Sequence, residues 1–174
     1  MLAATVAEAF RPEATVDSVV RAALNTAPRE PLRTFDERPF RSVYDYIATC
    51  LDIADRYDDV LAARAELYER CLLYHAIDPL ELSGFALAMF KIAGGDVRMA
   101  AIGGTNIGRD SDTIAGRAAM LAGALRGAGS VPEDWRRLFK EDTLERIRRN
   151  ATRFAEVVAR KLDGMRKRQT AAGA

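Results

Sequence analysis

A chain of 174 residues with 49% hydrophobic and 29% charged residues is long enough to bury a core and has the composition of one globular domain. Its net charge of +1 gives no global pull toward nucleic acid or an anionic membrane, and no apolar run approaches the roughly 18 residues of a membrane-crossing helix. No basic segment precedes an apolar core at the N-terminus as in a secretory signal. Cys50 and Cys71 fall at apolar positions of expected helices, which predicts buried free thiols and a cytoplasmic setting.

Apolar residues recur at helical spacing throughout, and strand alternation never persists, so every expected element is a helix. Met1–Phe10 reads as a helix stopped at Pro12, beginning with no cap ahead of its apolar residues. Thr15 or Asp17 opens a second helix that runs to about Ala27, and Pro28 to Arg41, with three prolines, reads as a loop. Ser42 followed by Asp45 forms a capping pair. Val43, Tyr46, Ile47, Cys50, Leu51 and Ala54 then share one face. Asp58 or Asp59 is expected to cap the next helix, with Val60, Leu67, Cys71 and Tyr74 inward. Asp78-Pro79-Leu80-Glu81 supplies an N-cap, a proline at the first helical position and an acid in the first turn.

That helix is expected to reach about Ala93 and stop at Gly94-Gly95. Asp96 to Ile102 reads as a short helix and Gly103 to Arg109 as a loop. From about Asp112 to Arg126 comes a helix of small residues, among them Gly116 and Gly123. Each interior glycine costs about 1 kcal/mol relative to alanine. Close approach of neighbouring backbones would justify that cost, which places this helix at the centre of a bundle. Gly127 and Gly129 end it, and Pro132 starts a turn that carries Trp135 as a core anchor. Asp142 and Glu145 cap a last long helix, with Leu144, Ile147, Ala151, Phe154, Val158, Leu162 and Met165 on its apolar face. Residues 168–174 read as a disordered tail, and one helical domain spans 1–174.

The run from Asn106 to Gly116 holds the chemistry. Asp110, Asp112 and Thr113 place two carboxylates and a hydroxyl at the junction of a glycine-containing loop and a helix. Short oxygen side chains suit a hard divalent cation such as Mg²⁺, and a helix start offers N–H groups to an anion. The two carboxylates repel each other, a cost that a bound cation removes. Three oxygens are half of the roughly six that Mg²⁺ takes, and waters would add others. The plainer reading is that Asp112 or Ser111 caps the helix while Asp110 is solvated. The spacing alone favours it, since Asp-x-Asp lacks the repeated ligands of an EF-hand. Arg109 either reaches a phosphate, pairs with Asp110 or faces solvent. His75, the sole histidine, reads as structural beside a helix end. One histidine with no partnered nucleophile gives no basis for Ser/Cys–His catalysis. Arg166-Lys167-Arg168 complements a helix dipole and, without interleaved aromatics, does not read as a nucleic-acid site.

This stretch resembles the C-terminal signature of the ADP-ribosylglycohydrolase family, in which an Asp-x-Asp-Thr unit follows a Gly-rich loop and precedes an Ala/Gly helix. The likeness extends from Asp78-Pro79-Leu80-Glu81-Leu82 through Gly94-Gly95-Asp96 to Val131-Pro132-Glu133-Asp134-Trp135, and the segments Met1–Phe10 and Ala14–Val20 resemble the family's middle region. The resemblance implies an all-α, orthogonal multi-helix bundle truncated at its N-terminus, with 1–174 as the C-terminal half of the family fold. It implies an Mg²⁺-dependent hydrolase that cleaves the glycosidic bond at the distal ribose of ADP-ribosyl groups. By the same resemblance Asp110, Asp112 and Thr113 are ligands of a two-metal centre, for Mg²⁺ or Mn²⁺, and none of them transfers the proton. Asn106, Gly108 and Arg109 face the ADP-ribose.

Relatives also carry a Thr-Asp-Asp run and an early Gly-Asp segment that complete the metal site and supply the catalytic acid. Neither stands in its family place here, and Tyr57-Asp58-Asp59, the nearest look-alike, reads better as a helix cap. The expectation is therefore half of a binuclear site in a fragment, a truncated gene product or one partner of a split enzyme. Such a chain is inactive alone. Its partners would be an ADP-ribosylated substrate or ADP-ribose, and either a second copy or a chain supplying the other half. The alternative is an inactive fragment or helical binding module, with an apolar face exposed where other helices would pack.

Overall fold

The computed structural model describes residues 1–32 and 40–172; residues 33–39 of the expected Pro28–Arg41 loop, and 173 and 174 of the expected tail, lie outside them. Among the described residues every regular element is helical, as the all-α expectation requires. The helices are α1 (Leu2–Ala9), α2 (Val16–Thr26), α3 (Val43–Ala54), α4 (Arg64–Cys71), α5 (Pro79–Ile92), α6 (Val97–Asn106), α7 (Ser111–Arg126), α8 (Glu133–Arg136) and α9 (Glu141–Ala172), with a 3-10 turn at Ala128–Ser130. Their contacts separate into two compact units, Met1–Pro132 and Glu133–Ala174, a division that the sequence does not announce.

Local chemistry sets the helix starts of the first unit. Thr15 Oγ1 accepts from the Ser18 N–H and Ser18 Oγ accepts from the Thr15 N–H, each at 3.1 Å, closing a reciprocal cap on α2. Ser42 Oγ accepts from the Asp45 N–H at 3.1 Å, Asp78 Oδ1 from the Leu80 N–H at 2.9 Å and Asp96 Oδ1 from the Met99 N–H at 2.7 Å. Each such cap contributes about 1 kcal/mol. Asp59 differs from its expected role. Its carboxylate accepts from the Leu61 N–H at 2.9 Å inside a turn, and α4 begins later, at Arg64, with no side-chain cap.

The centre of the first unit is α5 rather than α7. Leu82, Phe85, Leu87, Met89 and Phe90 leave almost no side of α5 open, and α2, α3, α6 and α7 all pack on it. A helix apolar on every side must be enclosed. By contrast α7 buries only Ile114, Ala118, Leu121 and Ala122, while Gly116 and Met120 stay exposed. A Cβ added at Gly116 or Gly123 would meet nothing within 4 Å, so neither glycine marks a close backbone approach.

The close approach lies on α6. A Cβ at Gly104 would stand 2.4 Å from Ala115 Cα, and one at Gly103 would stand 2.7 Å from Val60 Cβ. These two glycines therefore belong to a helix pressed against α7 and the turn before α4, not to the expected Gly103–Arg109 loop. The loop shrinks to residues 107–110. Gly104→Ala is expected to push α6 off the α7 backbone and lower stability by about 1–3 kcal/mol. A lower urea midpoint with an unchanged denaturant slope would register it; an unchanged midpoint would contradict the packing.

Both thiols are free and buried. Burial pushes the Cys50 thiol well up, while a hydrogen bond with Cys50 draws the Cys71 thiol down. Tyr46 Oη closes this region by donating to the Cys71 carbonyl at 2.9 Å. Tyr74, expected inward, is 79% exposed because α4 stops at Cys71. His75 lies exposed in the turn beyond, its ring 4.7 Å edge-on from that of Tyr74.

In the second unit α9 continues helically through residues 168–172, where a disordered tail is expected. Its residues Ile147, Phe154, Leu162 and Met165 are exposed, and Trp135 is half-buried rather than a core anchor. Among the described residues no helix is long and apolar enough to cross a membrane.

Candidate functional site

Four residues, Ile107 to Asp110, join α6 to α7 and set the start of the carboxylate run. Ile107 is fully buried and fixes the loop to the core. Its carbonyl accepts hydrogen bonds from Tyr68 Oη and, at 3.3 Å, from Arg64 Nε, both on α4. Gly108 follows with φ +78°, and a Cβ there would also stand 3.0 Å from Tyr68 Oη. A side chain at this position is opposed both by its backbone conformation and by its neighbour.

Arg109 comes next with φ +61°, the one non-glycine residue with positive φ among those described. Left-handed backbone costs an L-residue roughly 1–2 kcal/mol, so something must hold it. Glu81, on the first turn of α5, does. Arg109 Nε donates to Glu81 Oε1 at 2.7 Å and Nη2 to Glu81 Oε2 at 3.0 Å, a two-pronged fork. Nη2 also donates to the Leu73 carbonyl at 2.6 Å, and Glu81 Oε2 accepts from the Leu73 N–H at 2.7 Å. Glu81 is fully buried, and its hydrogen bond to Arg109 raises the guanidinium further above its ordinary range. Of the contacts open to Arg109 in the sequence, neither pairing with Asp110 nor facing solvent describes this geometry. Its side chain is turned inward as a strut.

The strut delivers Asp110 to the N-cap of α7, where its carbonyl accepts from the Ile114 N–H at 3.1 Å. Its carboxylate makes no capping hydrogen bond, and Ser111 and Asp112 stand inside the helix instead of capping it. Asp112 is exposed and Thr113 half-buried in the first turn. A hydrogen bond with the Asp110 side chain, then the N–H groups of Thr113 and of Asp112 itself, hold the Asp112 carboxyl below its usual range.

The donor set fits a hard cation in kind, because it consists of oxygens only. It falls short in number, since among the described residues no group of three or more His, Cys, Asp or Glu side chains converges on a metal position. Asn106, the last residue of α6, lines a cleft of about 400 Å³ with Leu61, Ala62, Arg64, Ala65 and Tyr68. The Arg64 guanidinium lies 4.6 Å from the Tyr68 ring centre. The cleft therefore offers a cation, an aromatic ring and an amide beside the loop.

Arg64 and Tyr68 are absent from the residues singled out in the sequence, and Glu81 appears there only as a first-turn acid. Arg64 and Tyr68 sit four apart on one helix face, a pairing legible in principle but without a motif to draw the eye. Glu81 carries the ordinary signature of a first-turn acid, and nothing local tells that its partner lies 28 positions away.

An all-helical fold, with paired carboxylates at a helix start reached through a glycine loop, is the class of protein that these observations define. The chain matches the ADP-ribosylglycohydrolase family model over residues 1–169 and belongs to that family. The match takes in nearly the whole chain, so the assignment does not carry the restriction to a C-terminal portion expected from the motif-bearing segment. Family membership supports a hydrolase of ADP-ribosyl groups. No curated protein and no solved structure matches the chain.

Proposed function

We propose that this protein removes ADP-ribosyl groups by hydrolysis at the distal ribose, with a divalent cation, Mg²⁺ or Mn²⁺, held in part by Asp110, Asp112 and Thr113. The observation that carries the reading is the pair of carboxyls at the start of α7, where Asp110 makes no capping hydrogen bond and Arg109 is engaged by Glu81 instead, in a chain of this family. The cation would orient ribose hydroxyls and water and stabilise developing negative charge. Asp110 and Asp112 supply the negative charge that draws it in, and Thr113 adds a neutral oxygen. Asn106 and Gly108 face the ADP-ribose. Arg109, expected to face the ADP-ribose as well, serves it through its backbone, since its guanidinium is held by Glu81 and the Leu73 carbonyl. Arg64, beside Asn106 in the cleft, is the cation best placed to meet a phosphate.

A second reading, binding of ADP-ribose without turnover, is favoured by one observation: no third acidic or imidazole ligand joins the pair among the described residues. Release of ADP-ribose from an ADP-ribosylated protein separates the two. The first reading expects turnover with Mg²⁺ that stops with a chelator. Chelator-insensitive turnover would contradict the cation, and saturable ADP-ribose binding with no turnover would favour the second reading.

A further inference from the structure

We propose that α9 is a self-association element, pairing antiparallel with α9 of a second copy of this chain. The helix is 32 residues long, and Ile147, Phe154, Val157, Leu162 and Met165 are each about half exposed or more. A helix with its apolar stripe open has little beyond backbone propensity to stabilise it, because most helical stability in proteins comes from packing.

The order of the apolar residues selects the partner. Leu144, Ile147, Ala151 and Phe154 are spaced three, four and three apart, and Ala155, Val158, Leu162 and Met165 repeat that spacing. The stripe therefore reads the same in both directions about the point between Phe154 and Ala155. A two-fold axis at that point sets Leu144 against Met165, Ile147 against Leu162, Ala151 against Val158 and Phe154 against Ala155, so each of these eight residues meets another of them, while Val157 stands outside the stripe. The large ring of Phe154 falls on the smallest neighbour, and the three–four spacing is that of a coiled-coil seam. A self-complementary patch of this kind is what a symmetric dimer needs.

Charge favours an antiparallel direction on balance. The axis sets Glu141 against Arg168, Asp142 against Lys167, Arg146 against Asp163 and Arg153 against Glu156, while Arg148 and Arg149 fall against Lys161 and Arg160. Antiparallel pairing lays each acidic end along the other copy's basic end, and the helix dipoles then oppose favourably. Parallel pairing would set like on like. The acidic start also disfavours an anionic lipid surface, toward which the remaining basic residues of α9 would otherwise point.

Sedimentation equilibrium of the full chain is expected to give a dimer. Phe154→Asp, at an exposed position, is expected to weaken it at least ~10-fold with the unfolding midpoint of the Met1–Pro132 unit unchanged. Register is read by mixing Ala151→Cys and Val158→Cys chains under mild oxidation, which should cross-link the mixed pair in preference to either variant with itself. A chain monomeric at roughly 100 µM, a cross-link between two Ala151→Cys chains, or a monomer that sediments with phosphatidylserine vesicles would each overturn the proposal.

Discussion

Replacing Glu81 with alanine is expected to destabilise the protein by about 3–5 kcal/mol, because it strips a largely buried guanidinium of its counter-ion and leaves the Leu73 N–H unpaired. The loop then loses what holds Arg109 at positive φ, so the start of α7 should loosen as well. Glu81→Gln keeps the shape and an acceptor for Leu73 but not the charge, and is expected to lose less. Arg109→Ala exposes the converse problem, a carboxylate buried with no cation. Urea unfolding of the two single variants and the double variant measures the pair: the double variant should lose clearly less than the sum of the singles. A loss under ~1 kcal/mol for Glu81→Ala would show that the strut holds little. A buried ion pair need not be the most stable filling of its site; here it fixes one backbone conformation of the loop.

Asp112→Ala is expected to act oppositely, lowering cation-dependent turnover at least ~100-fold while costing far less stability than Glu81→Ala, since only an exposed first-turn acid is lost. Asp112 is exposed and packs on nothing, so its removal opens no cavity. Asp110→Asn tests the other half of the pair and should lose turnover likewise, since its side chain makes no cap bond that the fold would miss. Full turnover in either variant would remove that residue from the site.

The contrast between these variants follows the line between what the sequence makes legible and what it does not. Signals that act over three or four residues are readable. Thr15 with Ser18, Ser42 with Asp45, Asp78 before Pro79, and the Gly94-Gly95 stop all mark helix ends where the structure has them. The carboxylate pair is readable for the same reason, being two residues apart. What depends on a distant partner is not. Gly103 and Gly104 look like loop residues until Val60 and Ala115 stand against them. Glu81 looks like a dipole-complementing acid until Arg109 arrives from the far side of α6. The glycines of α7 suggest a crowded helix, yet Gly116 and Gly123 face open space, and the enclosed helix is α5, whose apolar residues circle it completely. For α9 the periodicity marks an apolar stripe but not what it faces, since a 3.6-residue pattern is the same toward a core or a second helix.

Manganese binding probes the cation site without any knowledge of the ADP-ribosylated substrate. Free Mn²⁺ can be followed by its paramagnetic resonance signal during titration of the wild-type chain and of Asp112→Ala, with circular dichroism as the control for folding. A cation site at the start of α7 gives saturable binding to the wild type, displaced by Mg²⁺ and lost in the variant at unchanged helicity. Equal binding in both, or none in the wild type, would contradict a cation site at Asp110, Asp112 and Thr113.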